Sequence, residues 1–340
     1  MTNEYVEKFS YRAYTGEVEP RWKRVWSLAW FELVSTWRKS TVGKILLVII
    51  LAFNLLIITF GALELRFQLA DLEGAEKTEA IAAVFHGLVG GYLSAGIGGD
   101  NRISPSNSQA VSFQMNLGFL VIGLFAIAGS GAFADDRQGK LMEVYLSRVQ
   151  RWEYALGKVG AIIIYINIFA TIPLLIMGGL YVQAVGLDHL DYLYFYFGIL
   201  LYGILASLLL GLTILVLSSL VEKRMYASLA FYLLFILGSL FGTIVTQLEP
   251  SNEFLQLVSP STFLELLAYI CLGDFELWFQ SVEEFDPQTD EVTFSYKPLF
   301  LNDRKGLEYF HVLGITFVLI ILMFSFLVIR LRMLTTEALS

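Results

Sequence analysis

The chain has 340 residues, of which 56% are hydrophobic, 15% aromatic and only 16% charged, with a mean hydropathy of +0.64. A soluble globular chain carries about 25% charged residues, so this composition excludes an ordinary soluble enzyme and points to a polytopic membrane protein. A net charge of −8 gives no reason to expect a nucleic-acid partner, and the lone cysteine, Cys271, excludes a disulfide within the chain.

Residues 1–20 read as a cytoplasmic tail. Residues 21–42 read as an amphipathic helix in the inner membrane interface, because Trp22, Val25, Trp26, Ala29, Trp30, Leu33, Val34 and Trp37 recur at helical spacing. Arg21, Lys23, Arg24, Arg38 and Lys39 flank that face, and tryptophans beside cations suit the boundary between lipid and water.

A hydrocarbon core about 30 Å thick asks for roughly 20 apolar residues in a spanning helix. Six stretches qualify, all within residues 43–340: Ile45–Leu63, Val111–Ala134, Val159–Ala184, Leu193–Leu220, Tyr226–Gln247 and Phe310–Ile329. The first is expected to stay as a helix and not to be cleaved, since roughly forty mostly polar or amphipathic residues precede it.

The cations orient the chain under the positive-inside rule. Lys8 to Lys44, then Arg137, Lys140, Arg148, Arg151 and Lys158, then Lys223 and Arg224, then Arg330 and Arg332 all fall on one side, which places both termini in the cytoplasm of a cell-membrane protein. The opposite loops lean acidic, with Arg304 and Lys305 as the main exception. The external loops are 64–110, with a glycine-rich stretch at Leu88–Asp100, and 248–309, where Val292, Thr293, Phe294, Ser295 and Tyr296 alternate like a strand.

Phe254–Gly273 is almost apolar enough to span, yet it contains Pro260 and Glu265. A mid-membrane carboxylate costs about 2.5 to 3.5 kcal/mol, and a seventh span would invert the charge pattern downstream. The segment therefore reads as a pair of short re-entrant helices. Gly238 and Gly242 form a small-residue pattern suited either to packing within the chain or to a dimer seam.

Ionisable residues are nearly absent from the spans, where mainly Asn54, Asn116 and Asn167 interrupt the hydrocarbon, and this disfavours a proton- or ion-coupled carrier. His86, His189 and His311 are too scattered for a metal site, so none is expected. A lipid-modifying enzyme would need converging acid, base and nucleophile groups, and Asp135 and Asp136 alone do not supply them. A channel or an assembly scaffold stays open as an alternative.

The most informative segment is the charged island 135–158. Gly139 breaks the helix, then Leu141, Met142, Val144, Tyr145 and Leu146 offer apolar knobs, with Glu143, Arg148 and Arg151 as a charged rim, the pattern of a short helix that docks in a groove. Asp136, Arg137, Gly139, Leu141, Leu146, Arg151 and Lys158 follow in the order of the first cytoplasmic loop of ABC-2 type permeases, the membrane subunits of ATP-binding-cassette transporters. The chain resembles that family over nearly its whole length, although Lys140 stands where threonine is usual and Arg148 where proline is usual. The resemblance implies an all-α integral membrane fold of six spans and a coupling helix seated in a separate ATPase subunit. It further implies a second permease copy or paralogue beside this one. The coupling residues it implies are Asp136, Arg137, Gly139, Leu141, Met142, Glu143, Tyr145, Leu146, Arg148, Arg151 and Lys158. No G-x-x-x-x-G-K-[ST] loop is present, so ATP and Mg²⁺ are expected on the partner, and this chain is expected to bind no cofactor itself. The uncharged pathway favours a lipidic or amphipathic substrate, exported from the cell.

Overall fold

Each of the six apolar stretches lies within helical backbone. The structure, a computed structural model, describes residues 20–39, 41–68, 109–139, 142, 145, 149–185, 193–248, 257–272, 279–286, 291–298 and 309–337. In chain order the elements are α1 (Arg21–Lys39), α2 (Thr41–Gln68), α3 (Gln109–Gln138), α4 (Arg151–Ile166), a π-turn (Asn167–Thr171), α5 (Ile172–Val185), α6 (Leu193–Leu220), α7 (Arg224–Leu248), α8 (Pro260–Leu272), β1 (Phe279–Asp286), β2 (Glu291–Pro298) and α9 (Tyr309–Glu337). Among the described residues, Arg151–Leu180, Phe195–Leu220, Arg224–Gly242 and His311–Leu334 are long and apolar enough to cross a membrane. The chain is thus a multi-pass membrane protein built on helices.

Helix α6 is the axis of the bundle. It is apolar on all sides, the mark of a helix surrounded by others, and it touches α3, α4, α5, α7, α8 and α9. Small residues let those neighbours close in. A Cβ on Gly198 would meet the Cys271 carbonyl oxygen of α8 at 2.6 Å, and one on Gly211 would meet Ile162 of α4 at 2.8 Å. Helix α9 is the converse: Phe317, Ile321, Leu322 and Ile329 stand exposed along it, as suits a lipid-facing surface.

Polar groups around the π-turn are satisfied by one another, while the buried Tyr202 hydroxyl of α6 has no hydrogen-bond partner among the described residues. Asn167 donates to the Ile163 carbonyl at 2.8 Å and to Ser207 Oγ of α6 at 2.9 Å, and Thr171 donates back to Asn167 Oδ1 at 2.8 Å. Pro173 follows immediately and has no N–H to give, so the ladder widens into a π-turn there and the Asn167 side chain stitches it to α6. Asn54 and Asn116 have side chains outside the described set.

Of Phe254–Gly273, expected as two short re-entrant helices, residues 257–272 are among the described ones. A single turn at residues 257–258 leads into one helix, α8, of 13 residues. Ser259 is the cap, its Oγ accepting from Thr262 N at 3.4 Å, and Pro260 occupies the first helical position, where its missing N–H costs nothing. Thirteen residues reach about 20 Å, short of a membrane core of about 30 Å. The same Ser259–Pro260 step fills the Gly238 and Gly242 face of α7: a Cβ on Gly238 would meet Pro260 at 2.9 Å, and one on Gly242 would collide with Ser259. The small-residue seam therefore packs within the chain.

The alternating Val292–Tyr296 segment lies in β2, as expected. It pairs antiparallel with β1, a strand that the acidic Glu283 and Glu284 disguise in the sequence, in a register that sets Val282 opposite Ser295 and Glu284 opposite Thr293. The tail 1–19, the glycine-rich 88–100 stretch, His86 and His189 lie outside the described residues, and His311 is exposed at the start of α9.

Gly242→Leu forces its side chain onto the Ser259 backbone and is expected to destabilise the chain by about 1 to 3 kcal/mol, the usual cost of overpacking. Thermal unfolding in detergent, repeated at several protein concentrations, checks this. A melting temperature lowered equally at every concentration is the expected outcome, whereas a seam between copies would give a concentration-dependent loss.

Candidate functional site

The charged island is anchored from inside by a buried ionic cluster. Helix α3 runs on through Asp135, Asp136 and Arg137 before Gly139 turns the chain, with Gly139 N donating to the Asp135 carbonyl at 2.9 Å. That extension carries Asp136 inward, where it is only 7% exposed, and onto the first turns of α4. Lys158 Nζ sits 2.7 Å from Asp136 Oδ2 and 2.7 Å from Glu32 Oε2 of α1, and Lys158 itself is 1% exposed. Tyr154, fully buried one turn earlier, donates its hydroxyl to Asp136 Oδ2 at 2.5 Å, and the Lys158 ammonium lies 5.5 Å from the Tyr154 ring centre. One ammonium thus joins three helices.

A second ion pair repeats the link nearer the start of α4. Glu153 is fully buried, accepts from Gln150 N at 3.2 Å and from Arg24 Nη2 of α1 at 3.1 Å. An acid in the first turn also suits the positive end of the helix dipole. Between the two pairs the helices come very close, since a Cβ on Gly157 would collide with Leu28 of α1. Val25, Leu28 and Ala29 are buried there, while the tryptophans stand to one side. The apolar stripe read from the sequence is therefore divided between a packed edge and an exposed aromatic edge.

Further polar contacts tie the end of α3 to α6 and α7. Ser218 Oγ of α6 accepts from Phe133 N at 3.1 Å and Ala134 N at 3.2 Å and donates to the Ser130 carbonyl at 2.8 Å. Arg137 places Nη1 3.4 Å from the carbonyls of both Ser219 and Val221, a cation at the negative end of α6, and reaches Glu222 at 3.7 Å. Arg224 donates to the Ile127 carbonyl at 2.6 Å. A cavity of about 160 Å³ lies between α1 and α3, lined by Glu32, Ser35, Asp135, Tyr145 and Arg224 among others, polar and roomy enough for water.

The sequence-derived residues divide accordingly. Asp136 and Lys158 are internal and paired with each other. Met142 is buried and Tyr145 is half-buried with its ring stacked on Tyr154 at 5.9 Å, so these two are corrected from exposed knobs to inward anchors. Burial first, and then the charge of Asp136, push the Tyr145 phenol above its ordinary pKa. Arg151 is exposed, and Leu141, Glu143, Leu146 and Arg148 lie outside the described residues. Glu32, Arg24, Glu153 and Tyr154 escaped the sequence reading. The signal for Glu32 was available: it is the sole acid of α1, beside the apolar Leu28 and Leu33.

Among the described residues no group of three or more His, Cys, Asp and Glu is arranged to hold a metal ion. Compared with known protein families and with curated proteins, the chain matches none.

Lys158→Met leaves Glu32 and Asp136 facing each other without their shared cation, and removing one partner of a buried ion pair costs about 3 to 5 kcal/mol. Tyr154→Phe removes one hydrogen bond to a carboxylate, worth about 1.5 to 3 kcal/mol. Detergent unfolding of both variants checks the order: Lys158→Met is expected to lower the melting temperature more than Tyr154→Phe does.

Proposed function

We propose that the chain is the membrane-spanning permease subunit of an ATP-binding-cassette transporter of the ABC-2 type, driven by ATPase subunits carried on other chains. The observation that supports this most is the buried cluster itself. A loop that only joins two helices needs no internal charges, whereas an element that passes on the motion of a motor needs a stiff connection to the membrane helices. The Glu32–Lys158–Asp136 cluster supplies such a connection, from the base of the island into α1, α3 and α4.

In this reading six spans cross the cell membrane: α2, α3, α4 continuing through the π-turn into α5, α6, α7 and α9. Helix α8 enters and leaves the outer leaflet, and both termini are cytoplasmic, in line with the distribution of cations. Helix α1 lies along the inner interface. Residues 135–158 form the coupling element, with Glu143, Arg148 and Arg151 facing the ATPase, and with Asp136, Lys158, Met142 and Tyr145 setting its position from within. A second permease, a copy or a paralogue, completes the pathway, and ATP with Mg²⁺ binds to the ATPase partners. Spans with few fixed charges in their middles suit a lipidic or amphipathic cargo moved outward.

Co-expression with ATPases encoded beside this gene tests the proposal. The expected outcome is that one such ATPase co-purifies, and that Glu143→Ala combined with Arg151→Ala reduces its retention and the complex's ATP hydrolysis at least tenfold. Unchanged retention and hydrolysis in the double variant would sink the docking assignment.

A further inference from the structure

The outward face of α1 is not explained by its packing. Trp22 is 76% exposed, Trp26 54% and Trp30 56%, and Trp37, 40% exposed, stacks one face on Phe169 at 5.5 Å, so the indoles form a contiguous patch of the kind that marks an interaction site. At about 100° per residue, Lys23 and Arg38 fall on the same half of the helix as these four rings, and both are exposed, as is Arg21 at its start. Two charges point inward: Glu32, the sole acid of α1, bonds to Lys158, and Arg24 bonds to Glu153. Folding has thus sorted the charges, turning the acid toward α4 and leaving an outward arc of indole rings and cations.

We infer that this arc is a seat for anionic phospholipid headgroups, and that headgroup binding steadies the first turns of α4 through the two ion pairs. Indole rings place the arc at headgroup depth, where their apolar bodies meet acyl chains and their N–H groups meet water and phosphate. Exposed cations at that depth select anionic over zwitterionic lipid, each contributing about fivefold in local occupancy. A protein partner is the weaker fit, because protein-binding faces are depleted in lysine, whereas Lys23 borders the indoles here. The inference needs only the membrane setting and is independent of any ATPase.

Four of the six tryptophans belong to α1, so intrinsic fluorescence reports on this helix above all. The purified chain is placed in nanodiscs of mixed phosphatidylglycerol and phosphatidylcholine, with bromine on the acyl chains of one lipid or the other at equal mole fraction. Brominated phosphatidylglycerol is expected to quench wild-type fluorescence more strongly, and Lys23→Gln combined with Arg38→Gln is expected to abolish the excess. Phosphatidylglycerol is also expected to raise the melting temperature of the wild type over pure phosphatidylcholine, and to raise that of the double variant less. Equal quenching by the two brominated lipids, or an excess unchanged in the variant, overturns the headgroup seat. A stabilisation by phosphatidylglycerol that is the same in both proteins overturns the link to α4.

Discussion

A single buried ammonium, Lys158 Nζ, decides how the α1, α3 and α4 end of this bundle is arranged. In a chain whose helices are otherwise apolar, burying a cation is tolerable only with carboxylates close by, and Lys158 finds two, 2.7 Å away on α1 and 2.7 Å away on α3. Because those acids belong to different elements, satisfying the lysine fixes the position of both against α4. The ion pairs give α1 a register.

Two consequences follow for the island between α3 and α4. Its two flanking helix ends are clamped together by Asp136 and Lys158. It is also tied to α1, which carries the exposed tryptophans, through the same cluster. A motor subunit pressing on the island would act on α1, α3 and α4 together. Arg137 and Ser218 extend that connection to α6, the helix that touches almost every other one.

The helices were legible in the sequence because a membrane imposes a blunt requirement, long uninterrupted apolar runs, and the runs from Ile45 to Ile329 meet it. The Gly139 break and the Val292–Tyr296 strand were legible for similarly local reasons. What could not be read was direction. Helical periodicity put Trp22, Val25, Ala29 and Trp30 on one face, but only the packing of Leu28 against Gly157 shows that Val25 and Ala29 are covered while the indoles are not. Met142 was misread in the same way, since a methionine in a loop looks exposed until the neighbouring helix is known. Glu32 and Lys158 are 126 residues apart, a pairing that no local pattern reports.

Hydrogen–deuterium exchange of the α1 amides, in wild type and in Lys158→Met, tests most directly whether this cation holds α1 against α3 and α4. The account predicts that residues 21–39 lose protection in the variant while the α6 amides stay protected. Unchanged protection of α1 would show that apolar packing alone holds the helix, and would contradict the account.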